Sequence, residues 1–92
     1  MALNGPYTYD ATILTRERKP ICGVECRISV DDQTGQISDT GVLIPNDNHA
    51  FREHMNEGPY LILQLPQHPP YNIVMDAVRG LHGGLFKVEG KA

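Results

Sequence analysis

The sequence predicts a small, mainly β domain (α+β): an antiparallel β-barrel or a strongly bent sheet of about six strands, with one short helix near residues 47–57. Seven prolines and nine glycines divide the 92 residues into short segments, which favours strands over long helices. Most of these segments alternate apolar and polar residues with a period of two. The length predicts a single domain over residues 1–92, with frayed tails at residues 1–6 and 90–92.

The first two strands are predicted over residues 7–14 and 21–30, with the charged turn 15–20 between them. One face of the second strand carries apolar side chains and both cysteines of the chain: Cys22, Val24, Cys26, Ile28 and Val30. Such alternation is typical of a half-buried antiparallel strand. Because four residues of extended chain span about 13 Å, the two cysteines cannot form a disulfide with each other. We therefore expect two reduced thiols packed in the core.

Four further strands are expected from the same alternation, over residues 36–44, 60–65, 71–79 and 85–89. A hairpin loop at residues 31–35 precedes the first of them, and Asp39-Thr40-Gly41 is predicted to bend that strand or to form a bulge. The segment 60–65 is apolar on both faces and is predicted to be the most buried strand. Since short turns connect most of these strands, the sheet is expected to be mostly antiparallel.

The helix is predicted where the spacing of apolar residues changes. Ala50, Phe51, His54 and Met55 fall on one helical face, an Asn or Asp at positions 46–48 can cap the first turn, and Gly58-Pro59 ends the pattern. A helix of about three turns is stable only when it packs against other elements. We therefore expect it to plug one end of the barrel or to lie across one face.

Composition and charge exclude several partners. The net charge of −3 leaves no basic surplus for a nucleic-acid backbone, so no nucleic-acid partner is expected. No apolar stretch approaches the ~18 residues that a membrane span requires, so no membrane partner is expected. The first six residues lack the charged and apolar regions of a signal peptide. With two unpaired thiols, the sequence predicts a cytoplasmic protein.

Catalytic and metal sites are not predicted. A zinc site could use Cys22, Cys26, His49 and His54, but two thiols on an apolar strand face do not converge on a metal as a turn would arrange them. Burial raises the pKa of a thiol, which is the wrong direction for a nucleophile. No Gly-x-Ser-x-Gly, His-Glu-x-x-His or Walker-type sequence occurs. The sequence therefore predicts no enzyme, no metal and no cofactor.

A ligand site is the remaining alternative, and two segments suggest one. Arg16, Arg18 and Lys19 form a cationic turn that could bind an anion or could simply be solvated. The segment Gln36-Ile37-Ser38-Asp39-Thr40-Gly41 resembles the Asp/Asn-x-Ser-x-x-Gly strand motif of PilZ domains, small β-barrels of which many bind cyclic di-GMP. Ser38 and Gly41 match that motif, Gln36 replaces its first residue, and the family's two arginines spaced four apart are absent. The resemblance implies a small-ligand or nucleotide-binding barrel contacted by Arg16, Arg18, Ser38 and Gly41.

The function that the sequence favours is a small, non-enzymatic interaction or binding module. Its partner would be another protein or a second copy of the chain, because a core this small often gains stability from self-association. Tyr60, Leu63 and Tyr71 are the candidates for an apolar contact surface. The alternative function is the small-ligand or nucleotide-binding barrel with a degenerate PilZ-like motif.

Overall fold

A computed structural model describes residues 4–31, 33–78 and 83–92 and shows a closed antiparallel barrel with strand order β1-β2-β3-β6-β5-β4. The chain order of the elements is β1 (Asn4–Leu14), β2 (Pro20–Val30), β3 (Thr40–Pro45), α1 (Asn48–Met55), β4 (Tyr60–Gln64), β5 (Tyr71–Val78) and β6 (Gly84–Lys91). The predicted mainly β fold with one short helix is confirmed. Of the two predicted forms, the closed barrel is the correct one.

The barrel closes because β1 pairs on both sides. It pairs along its length with β2, and its last residues pair with β4 through Thr12 with Gln64, Ile13 with Leu63 and Leu14 with Ile62. This second ladder joins the two ends of the sheet. Closure gives each of the six strands a paired neighbour on both sides, which limits the open edge that could template pairing with another chain.

The bounds of the third strand and of the helix differ from the predictions. β3 begins at Thr40 rather than at residue 36, because the Ser38 hydroxyl donates to the Thr40 carbonyl and residues 36–39 make only one isolated bridge, between Ile37 and Val30. The helix is shorter than 47–57: Asp47 is its N-cap and accepts a hydrogen bond from the backbone of Ala50.

The chain ends are more regular than predicted. Residues 4–6 belong to β1 and residues 90–91 to β6, although both segments were expected to be tails. The ladders extend there, with Asn4 opposite Val30 and Lys91 opposite Tyr71. The predicted turn 80–84 lies for the most part outside the described residues.

The core lies inside the barrel. Val24, Cys26, Ile28 and Val30 are at most 2% exposed, which confirms the inward face predicted for the second strand. Phe51 of α1 is fully buried and belongs to the same cluster. The predicted apolar contact surface is wrong for two of its three residues: Leu63 is fully buried and Tyr71 is 7% exposed, because both face inward, and only Tyr60 is exposed.

The two ends of the barrel differ in what covers them. Antiparallel connections alternate between ends, so the turn 15–19 and α1 lie at one end, here called the helix end. The connections 31–39 and 65–70 lie at the other, here called the loop end, together with residues Asn4 and Lys91. α1 lies at the helix end and inserts Phe51 into the core. No helix among the described residues is long and apolar enough to cross a membrane.

Candidate functional site

The four residues predicted to bind a ligand do not form one site. Arg16 and Arg18 lie in the turn between β1 and β2, at the helix end. Ser38 lies in the connection between β2 and β3, at the loop end, and Gly41 follows it near the start of β3. The two pairs therefore lie at opposite ends of the barrel, and Arg16 and Ser38 each make hydrogen bonds to nearby backbone groups.

Arg16 is bound to the barrel wall. Its Nε donates to the carbonyl of Leu61 and its Nη2 to the carbonyl of Ile73, each at 3.0 Å. These two carbonyls belong to directly paired residues of β4 and β5. Nη2 also contacts Glu89 Oε1 of β6 at 2.6 Å, and the guanidinium lies 5.3 Å from the ring centre of Tyr60. Arg16 therefore ties three strands together with the donors that an anion would need.

The rest of the cationic turn is organised by Thr15. The Thr15 hydroxyl accepts hydrogen bonds from the backbones of Glu17 and Lys19, and the Thr15 carbonyl accepts one from the backbone of Arg18. Arg18 has a φ of 69°, the left-handed conformation that such a tight turn requires. The Arg18 side chain is exposed and makes no ion pair with a described residue. The turn geometry accounts for this segment without a ligand.

Ser38 and Gly41 are also explained by local structure. The Ser38 hydroxyl donates to the Thr40 carbonyl at 2.8 Å and accepts from the Ser29 backbone at 3.4 Å. Gly41 pairs with Phe86 of β6, and a Cβ at position 41 would lie 2.6 Å from the ring of Phe86. The Ser-x-x-Gly spacing therefore serves a bend followed by a close strand contact.

The two thiols have no features of a reactive site. Burial raises the pKa of Cys26 to about 12, and burial is also the main cause that raises the pKa of Cys22. His49 contacts Glu53 on the helix surface, and Nε2 of His54 lies 3.1 Å from the Tyr60 carbonyl oxygen. Within residues 4–31, 33–78 and 83–92, no group of three or more His, Cys, Asp and Glu side chains is placed to hold a metal ion.

A cavity with a volume of about 630 Å³ opens at the loop end. Inward-facing side chains form its floor and two loops form its rim; its lining is Tyr9, Val30, Asp31, Thr34, Gly35, Pro66, Gln67, His68, Pro69, Tyr71 and Lys91. A second cavity of about 360 Å³ shares Thr34, Gly35, Tyr71 and Lys91 with it and extends toward β6. We call the two together the loop-end cavity. Its size and mixed lining are typical of small-molecule sites, which often occupy the mouths of β-barrels.

Asp31 organises the rim of the loop-end cavity. Its Oδ1 accepts hydrogen bonds from the backbones of Gln33 and Thr34, its carbonyl accepts one from Gly35, and its own N–H donates to the carbonyl of Gln36. Gly35 has a φ of 73°, which closes the loop. These bonds give the rim a defined shape before any ligand is present.

The loop-end cavity also holds two charges that do not neutralise each other. Asp31 is 5% exposed and is the only buried charged residue among those described. Its Oδ2 accepts no hydrogen bond from a described residue. Lys91 lines the same cavity and makes no ion pair with a described residue.

A smaller cavity of about 410 Å³ lies at the helix end, between the turn 15–19 and the end of α1. Arg16, His54 and Tyr60 line it. Arg16 and His54 already contact backbone carbonyl oxygens there. The loop-end cavity offers more uncommitted groups, and it is the candidate site.

Sequence reasoning missed the residues of the loop-end cavity. Tyr9, Tyr71 and Lys91 are far apart in the chain and lie in three strands, so no motif unites them. One signal was present: an Asp four residues before a Gly, a spacing typical of a loop held by a side-chain acceptor. Comparisons of the chain with protein-family models, with curated proteins and with solved structures find no match.

Proposed function

We propose that this small β-barrel is a non-enzymatic binding module and that its binding surface is the loop-end cavity. The observation that carries the proposal is the cavity of about 630 Å³ at the loop end, which is larger than the cavity of about 410 Å³ at the helix end and is lined by more uncommitted polar groups. Small barrels are filled by their own side chains, so their mouths are where a partner can contact the interior.

The chemistry of the cavity agrees with binding. Its lining combines two tyrosines and two prolines with a cation, a carboxylate, a histidine and amide and hydroxyl groups. Apolar surface with a few placed polar groups gives affinity and orientation at the same time. Burial raises the pKa of both thiols, which is the wrong direction for a nucleophile.

Capture from an extract of the native host tests this function. The domain is immobilised, and retained proteins and small molecules are identified by mass spectrometry. The site variant His68→Ala/Lys91→Ala removes one imidazole and one ammonium from the loop-end cavity. The control variant His49→Ala/Lys87→Ala removes the same two groups from exposed positions on α1 and on β6, outside the cavity.

The expected result is a molecule that wild type and the control variant retain and the site variant does not. A second copy of the chain is one partner that the test can reveal. Equal retention by both variants contradicts the proposal, because binding would then occur elsewhere on the surface. Unfolding curves of all three proteins in urea exclude a trivial loss of structure as the reason for lost binding.

We also propose a cytoplasmic location. The support is that Cys22 and Cys26 are both free in the structure and that Cys26 is fully buried. Free thiols are ordinary in a reducing compartment and uncommon in an oxidising one. Fractionation of host cells with an antibody against the domain tests the location, and recovery outside the cytoplasmic fraction contradicts it.

A further inference from the structure

We infer that the loop-end cavity binds a small zwitterion with an aromatic or apolar side chain, the chemical class to which α-amino acids belong. This inference rests on the proposed function and names the ligand class of the same site. Three features of the cavity carry it: a carboxylate with a free oxygen, an unpaired ammonium and an aromatic floor.

The carboxylate is placed to accept from a ligand. Asp31 Oδ1 is committed to the backbones of Gln33 and Thr34, which fixes the orientation of the carboxyl group. Oδ2 is then the oxygen that remains for a donor in the cavity. A nearly buried carboxylate in this position favours a cationic donor such as an ammonium group, because burial strengthens a charge pair that water would otherwise screen.

The ammonium of Lys91 supplies the opposite charge. Lys91 lines both parts of the loop-end cavity, but it lies more than 4.0 Å from the carboxylate of Asp31, since the two form no ion pair. A ligand with a single charge would satisfy one of these groups and face the other as a like charge. A zwitterion pairs with both, so it is the charge type that the cavity favours.

The apolar lining of the cavity favours an aromatic or aliphatic group in the rest of the ligand. Tyr9, Tyr71 and Val30 line the cavity together with Pro66 and Pro69. Aromatic rings and prolines offer flat apolar surface on which another ring or an aliphatic group packs. His68 and Gln67 add hydrogen-bonding groups to the lining.

The test compares three probes that share a phenylethyl group and differ in which charged groups they carry. L-phenylalanine carries both an ammonium and a carboxylate, phenethylamine carries the ammonium alone, and 3-phenylpropionate carries the carboxylate alone. Each is titrated into the ¹⁵N-labelled full chain while amide shifts are followed by NMR. We expect L-phenylalanine to bind at least about threefold more tightly than either analogue, with shifts at residues 33–36 and 67–71.

Two charge variants assign the contacts. Lys91→Met is expected to weaken the binding of L-phenylalanine and of 3-phenylpropionate about threefold and to leave the binding of phenethylamine unchanged. Asp31→Asn keeps the Oδ1 acceptor and is expected to weaken the binding of L-phenylalanine and of phenethylamine instead. The matched control Lys87→Met removes a lysine from the same strand, where it faces Asp76 outside the cavity. It should leave the affinity for each of the three probes unchanged.

Several outcomes overturn the inference. It is wrong if the probes bind equally, if neither charge variant changes the affinity order, or if L-phenylalanine causes no shifts at about 10 mM. Failure here leaves the proposed function open to its own test, because the host-extract capture depends on His68 and Lys91 whatever the charge of the ligand. If the capture fails as well, the loop-end cavity is not a binding site.

Discussion

Gly41 of β3 lies directly against the ring of Phe86, its paired residue on β6. A Cβ at position 41 would be 2.6 Å from Cζ of Phe86 and 2.8 Å from the carbonyl oxygen of Arg27. Phe86 is fully buried, so its ring has no room to move away. The glycine that matched a ligand-binding motif in the sequence is thus required by the packing of the barrel wall.

Replacing Gly41 by Ala is expected to destabilise the domain by about 1–3 kcal/mol, because the added methyl group overpacks the contact with Phe86. Urea unfolding measures the loss. Gly23→Ala is the control: a Cβ there would lie 3.0 Å from the flexible amide of Asn46 and 3.8 Å from the carbonyl oxygen of Ala11, and the substitution should cost less. Equal losses in the two variants would mean that the close approach to Phe86 is not the cause.

Arg16→Met is expected to lower the free energy of unfolding by about 1–2 kcal/mol. The substitution removes donors to the carbonyls of Leu61 and Ile73 and the ion pair with Glu89, while Met keeps the apolar stem. The ion pair contributes the smaller part because its side chains are 35% and 48% exposed. Arg18→Met, in the same turn, should have almost no effect. If the free energy of unfolding of Arg16→Met equalled that of wild type, the guanidinium would not contribute to stability.

The thiol of Cys26 is expected to make stability fall with rising pH. In the unfolded chain the thiol ionises near its ordinary pKa of 9.0, whereas burial raises the pKa of the folded thiol to about 12. Below about pH 9 the thiol is protonated in both states and the full stability is present. Between pH values of about 9 and about 12 only the unfolded chain loses the proton, so the free energy of unfolding falls by up to about 1.4 kcal/mol per pH unit.

Comparison with Cys26→Val isolates this effect, since tyrosine and lysine titrate in the same range in both proteins. The unfolding free energies of the two proteins are measured in urea at about pH 8 and about pH 10.5. Wild type should lose more stability than Cys26→Val over that interval. An identical loss in both proteins would mean that the thiol is not protected from ionisation in the fold.

The carboxyl group of Asp31 is expected to be replaceable by an amide but not by a methyl group. Asp31→Asn retains the Oδ1 that accepts from the backbones of Gln33 and Thr34, so its stability should stay close to that of wild type. Asp31→Ala leaves both N–H groups without this acceptor and should cost about 0.5–2 kcal/mol. Hydrogen exchange at residues 33–36 measures the loss locally, and unchanged exchange in Asp31→Ala would contradict this role.

The alternation of apolar and polar residues was enough to predict which side chains face the core. Ile28 and Val30 follow this pattern and are buried, and the capped apolar spacing around Phe51 located the helix within two residues at each end. These features depend on residues that are close together in the chain. An apolar period of two or 3.6 residues indicates which face of a strand or helix is buried. The pattern failed at residues 36–39, where a serine hydroxyl competes with the strand ladder.

Sequence by itself therefore determined the six strands, the helix and the burial of Cys26, whereas Cys22 is only partly buried. Tertiary structure alone decided that the sheet closes, because closure depends on the pairing of residues 12–14 with residues 62–64, some 50 positions away. It also decided that Arg16 binds carbonyls rather than an anion, and that Asp31 and Lys91 share a cavity. Contacts between residues so far apart follow from how the strands wind around the core, and no local pattern of residues records that winding.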